Sequence, residues 1–143
     1  MERKCSNEPF LLLMQTSRAI QERIRDDMIK NNLSITDFSV LEVLFHKGKQ
    51  TIQQIGKSIL ISSGSMTYVI DKLEQKGLLK RSACPDDRRA IHVTLTDAGY
   101  DLMKKIMPEH EDFIDSVFDS LEAEEKDMLV NLIRKLKDNV EKQ

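Results

Sequence analysis

The sequence predicts a mainly α fold of the α+β kind, a winged helix-turn-helix set between long N- and C-terminal helices. Three observations carry that expectation. Apolar residues recur at helical spacing over most of the 143 residues. Two short helical segments are separated only by the polar turn Ser62-Ser63-Gly64-Ser65. The stretch that alternates like strands follows directly after them and is broken by a charged turn.

The elements follow in order. Pro9 suits a first helical turn, and Phe10, Leu13, Ile20, Ile24 and Met28 recur behind it, with Arg18, Gln21, Glu22, Arg25 and Asp26 on the other side. That helix is expected to end near Asn31-Asn32. Ser34 or Thr36 can cap a second helix carrying Phe38, Leu41, Val43, Leu44 and Phe45, which stops at Lys47-Gly48. Thr51 begins a third, with Ile52, Ile55, Ile59 and Leu60 on its buried side. A fourth turns Met66, Val69, Ile70 and Leu73 inward and ends at Lys76-Gly77.

Beyond Gly77 the period changes. Leu78 to Ser82 and Ala90 to Leu95 read as two strands, joined at Pro85-Asp86-Asp87-Arg88-Arg89. Thr96 caps a long helix through Leu102, Met103 and Ile106 and on to Phe113, Ile114, Val117, Phe118 and Leu121, which Pro108 is expected to kink or restart. A last helix carries Leu129, Leu132, Ile133, Leu136 and Val140. The terminal helices hold more apolar surface than one small domain can bury. The expected organisation is a single intertwined unit: residues 1–32 a dimerisation helix, 33–96 the winged lobe, 97–143 the C-terminal dimerisation helices.

Composition excludes several classes. Charged residues at 32% against 40% hydrophobic ones indicate a soluble chain with a core. No apolar run approaches the about 20 residues that span a bilayer. No leader-like segment is present, so a cytoplasmic location is expected. Two cysteines exclude a disulfide scaffold. There is no nucleophile elbow, phosphate loop or HExxH motif, so neither enzymatic activity nor a cofactor is expected.

The net charge of −2 argues mildly against a nucleic-acid partner, but it is an average. Residues 48–92 hold eight Lys/Arg against four Asp/Glu, a net of +4. The rest holds 14 against 20, a net of −6. The positive share coincides with the helix-turn-helix and hairpin, where it can neutralise phosphates. Ser62, Ser63, Ser65, Thr67 and Tyr68 open the fourth helix, where hydroxyls and free backbone N–H groups suit phosphate oxygens and base edges. Thr67, Tyr68 and Lys72 fall on its outward face. The hairpin tip holds Asp86-Asp87-Arg88-Arg89, where arginine stands on a narrow ribbon that can enter a minor groove and an adjacent Asp can fix its guanidinium. Helix capping by the serines and a merely solvated turn are the plainer alternatives.

The run Asp87-Arg88-Arg89-Ala90-Ile91-His92-Val93-Thr94-Leu95-Thr96-Asp97-Ala98-Gly99 resembles the wing signature of the MarR family of bacterial transcription regulators: Asp-Arg-Arg, a strand, then Leu-Thr-x-x-Gly. Ile70 to Leu79 resembles the end of that family's recognition helix. The resemblance covers nearly the whole chain. It implies a homodimer on a pseudo-palindromic, double-stranded operator, with half-sites about one helical turn, ~34 Å, apart. It places Ser62, Ser65, Thr67 and Tyr68 toward the major groove and Arg89, braced by Asp87, toward the minor groove. It also implies a repressor released by a small, often phenolic or quinone-like, ligand or by an oxidant. A winged helix serving only protein contacts is the remaining alternative.

The signal sensed is less legible. Peroxide-sensing members resemble the chain along Phe10-Leu11-Leu12-Leu13 but carry a reactive cysteine at its start, where Pro9 or Phe10 stands here. Cys5 lies upstream near Arg3 and Lys4, and Cys84 precedes the wing turn; a redox role is open to either. Zinc-sensing relatives gather several His and acids, whereas His46, His92 and His110 are scattered, so no metal is expected. Met14, Ser17, Phe38, Phe45, Met103 and Met107 are candidates to line a pocket for a small aromatic effector, though such stripes also build cores.

Overall fold

Helix α1 (Glu8–Ile29) starts where the Asn7 side chain accepts the Phe10 backbone N–H, with Pro9 in the first turn. The computed structural model describes residues 7–59, 63–84 and 86–143, without the side chains of Ser63 and Arg88. Cys5 and Ser62 lie outside the described residues, as do the side chains of Ser63 and Arg88. The chain divides into two compact units, Met1–Lys105 and Ile106–Gln143.

Helix α1 stops because Asn32 takes a left-handed conformation, φ 58°. The Asn32 N–H then reaches the Ile29 carbonyl and the Leu33 N–H the Met28 carbonyl, with Met28 and Leu33 both buried. This is the double-bonded helix stop that asparagine and glycine favour. Helix α2 (Ile35–Lys47) begins with a capping box between Ser34 and Asp37 and ends at Gly48, φ 73°.

The next segment differs from expectation. Gln50–Thr51 is a short strand, β1, and helix α3 (Ile52–Ile59) begins one residue after Thr51. Thr51 still caps α3: its Oγ1 accepts the Gln54 N–H, and the Gln54 side chain returns to the Thr51 N–H. Helix α4 (Ser63–Gln75) ends like α1: Gly77, φ 76°, donates to the Glu74 carbonyl and Leu78 to that of Leu73.

Strands β2 (Leu79–Cys84) and β3 (Asp87–Leu95) pair antiparallel, and β1 adds to the far edge of β3, giving the order β1-β3-β2. The expected hairpin is thus a three-stranded sheet. Its turn is tighter than expected: Cys84 pairs with Asp87 across a bulge at Ala83/Cys84, so Arg88 and Arg89 belong to β3. The core of this first unit is built from Phe38, Leu41, Leu44, Ile55, Met66, Ile70, Leu73, Leu79, Val93 and Met103, all at most 3% exposed. The inward stripe of α4 is buried as the helical period puts it, whereas Val43 and Phe45 of α2 and Ile52 and Ile59 of α3 are half-buried, and Leu60 lies outside the described residues.

Helix α5 (Asp97–Phe118) runs unbroken through Pro108. The expected restart does not occur, since proline removes one helical hydrogen bond and the flanking turns hold without it. In the second unit, α6 (Ala123–Glu141) follows a turn in which the Glu125 carboxylate accepts the Glu122 N–H. Among the described residues no helix is long and apolar enough to cross a membrane.

The exit of β3 is tied to the exit of α4. The Thr96 hydroxyl donates to the Gly77 carbonyl at 2.6 Å and accepts the Gly99 N–H at 3.1 Å, while the Thr96 N–H reaches the Leu78 carbonyl. Gly99 is buried against that carbonyl: a Cβ there would lie 1.9 Å from the Leu78 oxygen. The Leu-Thr-x-x-Gly run is therefore a clamp, with threonine supplying two hydrogen bonds and glycine the clearance. Gly99→Ala should destabilise the protein by about 1–3 kcal/mol or more, as overpacking against backbone does. Thermal melting at fixed protein concentration should show a drop of several degrees; an unchanged midpoint would refute the clamp.

Candidate nucleic-acid interface

Helix α4 is divided sharply. Met66, Val69, Ile70 and Leu73 are at most 6% exposed, whereas Ser65, Thr67 and Tyr68 are exposed, Tyr68 at 67%. An aromatic ring that exposed at the start of a helix has no packing role in this unit. The hydroxyls of Ser65, Thr67 and Tyr68 are the donors and acceptors the sequence placed outward.

Lys72 departs from the expectation of a free outward lysine. Its Nζ lies 2.9 Å from Oδ1 of Asp37, a carboxylate 1% exposed. At this separation opposite charges attract strongly away from bulk water. The same ammonium stands 5.8 Å from the Tyr68 ring centroid. Lys72 is thereby occupied by the scaffold, which a period-based reading could not show, because its partner is on α2.

Arg81 is the second occupied cation. Its backbone N–H and one guanidinium nitrogen donate to the Glu74 carboxylate at 3.0 Å each, and its other nitrogen pairs with Asp71. The hydrogen bond to Asp71 is the largest influence on Arg81; with the charges of Asp71 and Glu74 it outweighs partial burial and raises the guanidinium pKa. The pairing joins β2 to the last turns of α4 and offsets the charge of both acids on that helix.

The lobe exposes further cations, alongside the exposed carboxylates of Asp86 and Asp87 at the wing. Lys49, Lys57, Lys80 and Arg89 are exposed, and Lys76 is exposed while donating to the Asn32 carbonyl. At the wing Asp87 does not brace the Arg89 guanidinium. Its Oδ1 accepts the Arg89 backbone N–H at 2.9 Å, the short-range bond aspartate makes two residues on. The carboxylate thus fixes the turn of the ribbon, and the Arg89 side chain is exposed.

The other candidates are dispersed. Cys84 is a half-buried free thiol at the end of β2. Phe38, Met103 and Met107 are buried, Ser17 is half-buried on α1 and Met14 is exposed there. Phe45 is half-buried, its ring 5.3 Å from that of Tyr100 and 5.5 Å from that of His46. Among the described residues no three His, Cys, Asp or Glu side chains are grouped as metal ligands would be. Sequence reasoning missed Asp37 and Arg81. The spacing Ser34-x-x-Asp37 was a legible capping box, but its burial was not.

A family model described as the MarR family matches residues 33–91. The chain is 42% identical over 127 residues to the HTH-type transcriptional regulator MhqR of Bacillus subtilis (strain 168), covering 89% of this chain and 88% of that protein. The chain belongs to the MarR family. MarR-family membership makes it a DNA-binding, helix-turn-helix transcriptional regulator, and its three-stranded sheet beside α3 and α4 is the winged form of that motif. Solved structures agree. AbsC, a MarR family transcriptional regulator from Streptomyces coelicolor, superposes with a TM-score of 0.88 at 20% identity, over 99% of this chain and all of that one. BpsR of Bordetella bronchiseptica, whose DNA binding is regulated by 6-hydroxynicotinic acid, superposes with a TM-score of 0.79 at 27% identity, over 92% and 99%.

Proposed function

We propose that this MarR-family chain is a homodimeric repressor that reads a pseudo-palindromic operator with α4 in the major groove and the wing in the minor groove. The observation that carries the reading is the divided face of α4, with Ser65, Thr67 and Tyr68 exposed above a fully buried apolar side. Ser62 and Ser63 extend that hydroxyl cluster in sequence, and Arg88 and Arg89 supply the wing cations. Residues 33–96 form the reading lobe, and residues 1–32 and 97–143 the dimerising parts.

A second copy is the partner that the terminal helices call for. Phe10 and Leu12 on α1 are 58% and 54% exposed. On α6, Met128, Leu132, Leu136 and Val140 are each at least half exposed. Apolar exposure on this scale along each of these helices marks interaction surfaces, and self-association is the usual way such surfaces are closed. Release by a small hydroxylated aromatic acid is the favoured input, supported by BpsR at 27% identity. The candidates to line its pocket are Met14, Ser17, Phe38, Phe45, Met103 and Met107.

Arg89→Ala should weaken operator binding by about 1–3 kcal/mol and flatten the salt dependence by about one ion per arginine lost. Fluorescence anisotropy across a salt series measures both, and an unchanged affinity removes Arg89 from the interface. In the same assay a hydroxylated aromatic acid should release the wild-type protein. Leu132→Lys with Leu136→Lys should give a monomer by analytical ultracentrifugation, with operator binding lost. A variant that stays dimeric excludes α6 from the interface.

A further inference from the structure

We propose that Asp37 is a positioning residue for DNA reading, which sets helix α4 through Lys72. The inference rests on α4 being the helix that meets DNA. Among the described residues Asp37 is the charged side chain buried in the core, 1% exposed, and its two oxygens have separate tasks. Oδ2 accepts the Ser34 N–H at 2.9 Å, closing the capping box of α2. Oδ1 is turned to the Lys72 ammonium, 2.9 Å away on α4.

A capping box needs one carboxylate oxygen and works at a solvated helix end, so capping alone gives no reason for burial. Burying a carboxylate is costly unless a cation accompanies it, and a buried pair fixes an arrangement more than it adds stability. Lys72 lies one turn beyond Tyr68, with its ammonium over that ring. The charge pair therefore connects the start of α2 to the exposed face of α4 and fixes the rotation at which Ser65, Thr67 and Tyr68 are presented. Arg81, holding Asp71 and Glu74 from β2, secures the same helix from the wing side. Lys72 is on this account a positioning group, not a phosphate contact.

The test is a double-mutant cycle, Asp37→Asn, Lys72→Met and the two combined. Each is measured on operator DNA and on a random duplex of equal length across a salt series, with thermal melting alongside. The combined variant replaces the charge pair by a neutral one and is the arm expected to keep the fold. It should bind operator at least about five-fold more weakly, bind random duplex like the wild type, and keep the wild-type slope of log K against log salt. The losses in the single variants should not add. A direct phosphate contact would instead lower the slope by about one in Lys72→Met and leave Asp37→Asn normal, and that result overturns the proposal. Wild-type operator affinity in the combined variant, with Tyr68→Ala impaired, overturns it alone. Wild-type affinity in both also overturns the reading of α4.

Discussion

Helix α4 carries charges on both sides of its exposed face, and the way that face is held depends on where their partners are. Lys72 is met by Asp37 from α2, and Asp71 and Glu74 are met by Arg81 from β2. An isolated surface ion pair contributes little. These pairs differ in being partly buried and in linking elements distant in the chain. They act on orientation. With the apolar side of α4 in the core, Ser65, Thr67 and Tyr68 are exposed on its outward face.

The wing is registered to that helix by hydrogen bonds instead of charge. Gly77 ends α4 in a left-handed turn, and its carbonyl is taken by the Thr96 hydroxyl at the start of α5. One threonine thus closes the loop formed by the whole hairpin, residues 79–95, onto the helix that precedes it. The Asp87 carboxylate performs a smaller version of the same task at the tip, by binding the backbone and leaving the arginine to solvent. The family signature is in this sense mainly architectural: its Asp, Thr and Gly shape the ribbon, on which Arg89 is exposed.

Much of this was legible because helical period and stop signals are local. The stripes Met66-Val69-Ile70-Leu73 and Phe38-Leu41-Leu44 are buried as their spacing requires, and Gly48 and Gly77 end helices where sequence places them. What was not legible depends on residues far apart. Strand β1 has two residues and no pattern; it exists because β3 offers an open edge. Lys72 looks like a surface lysine until α2 brings Asp37 to it. Pro108 looks like a break, yet one lost hydrogen bond does not end a helix of 22 residues. Charge behaved similarly. The acidic average concealed a basic lobe, and within that lobe Lys72 and Arg81 are held internally, leaving Lys49, Lys57, Lys76, Lys80 and Arg89 exposed.

The central claim is that two copies of this lobe, related by a two-fold axis, read DNA together. Hydroxyl-radical footprinting on a duplex selected from random sequence tests it most directly. The account predicts two protected half-sites of inverted sequence, their centres about ten base pairs apart, one turn of the double helix. A single protected half-site without a symmetric mate, or protection indifferent to sequence, would contradict it.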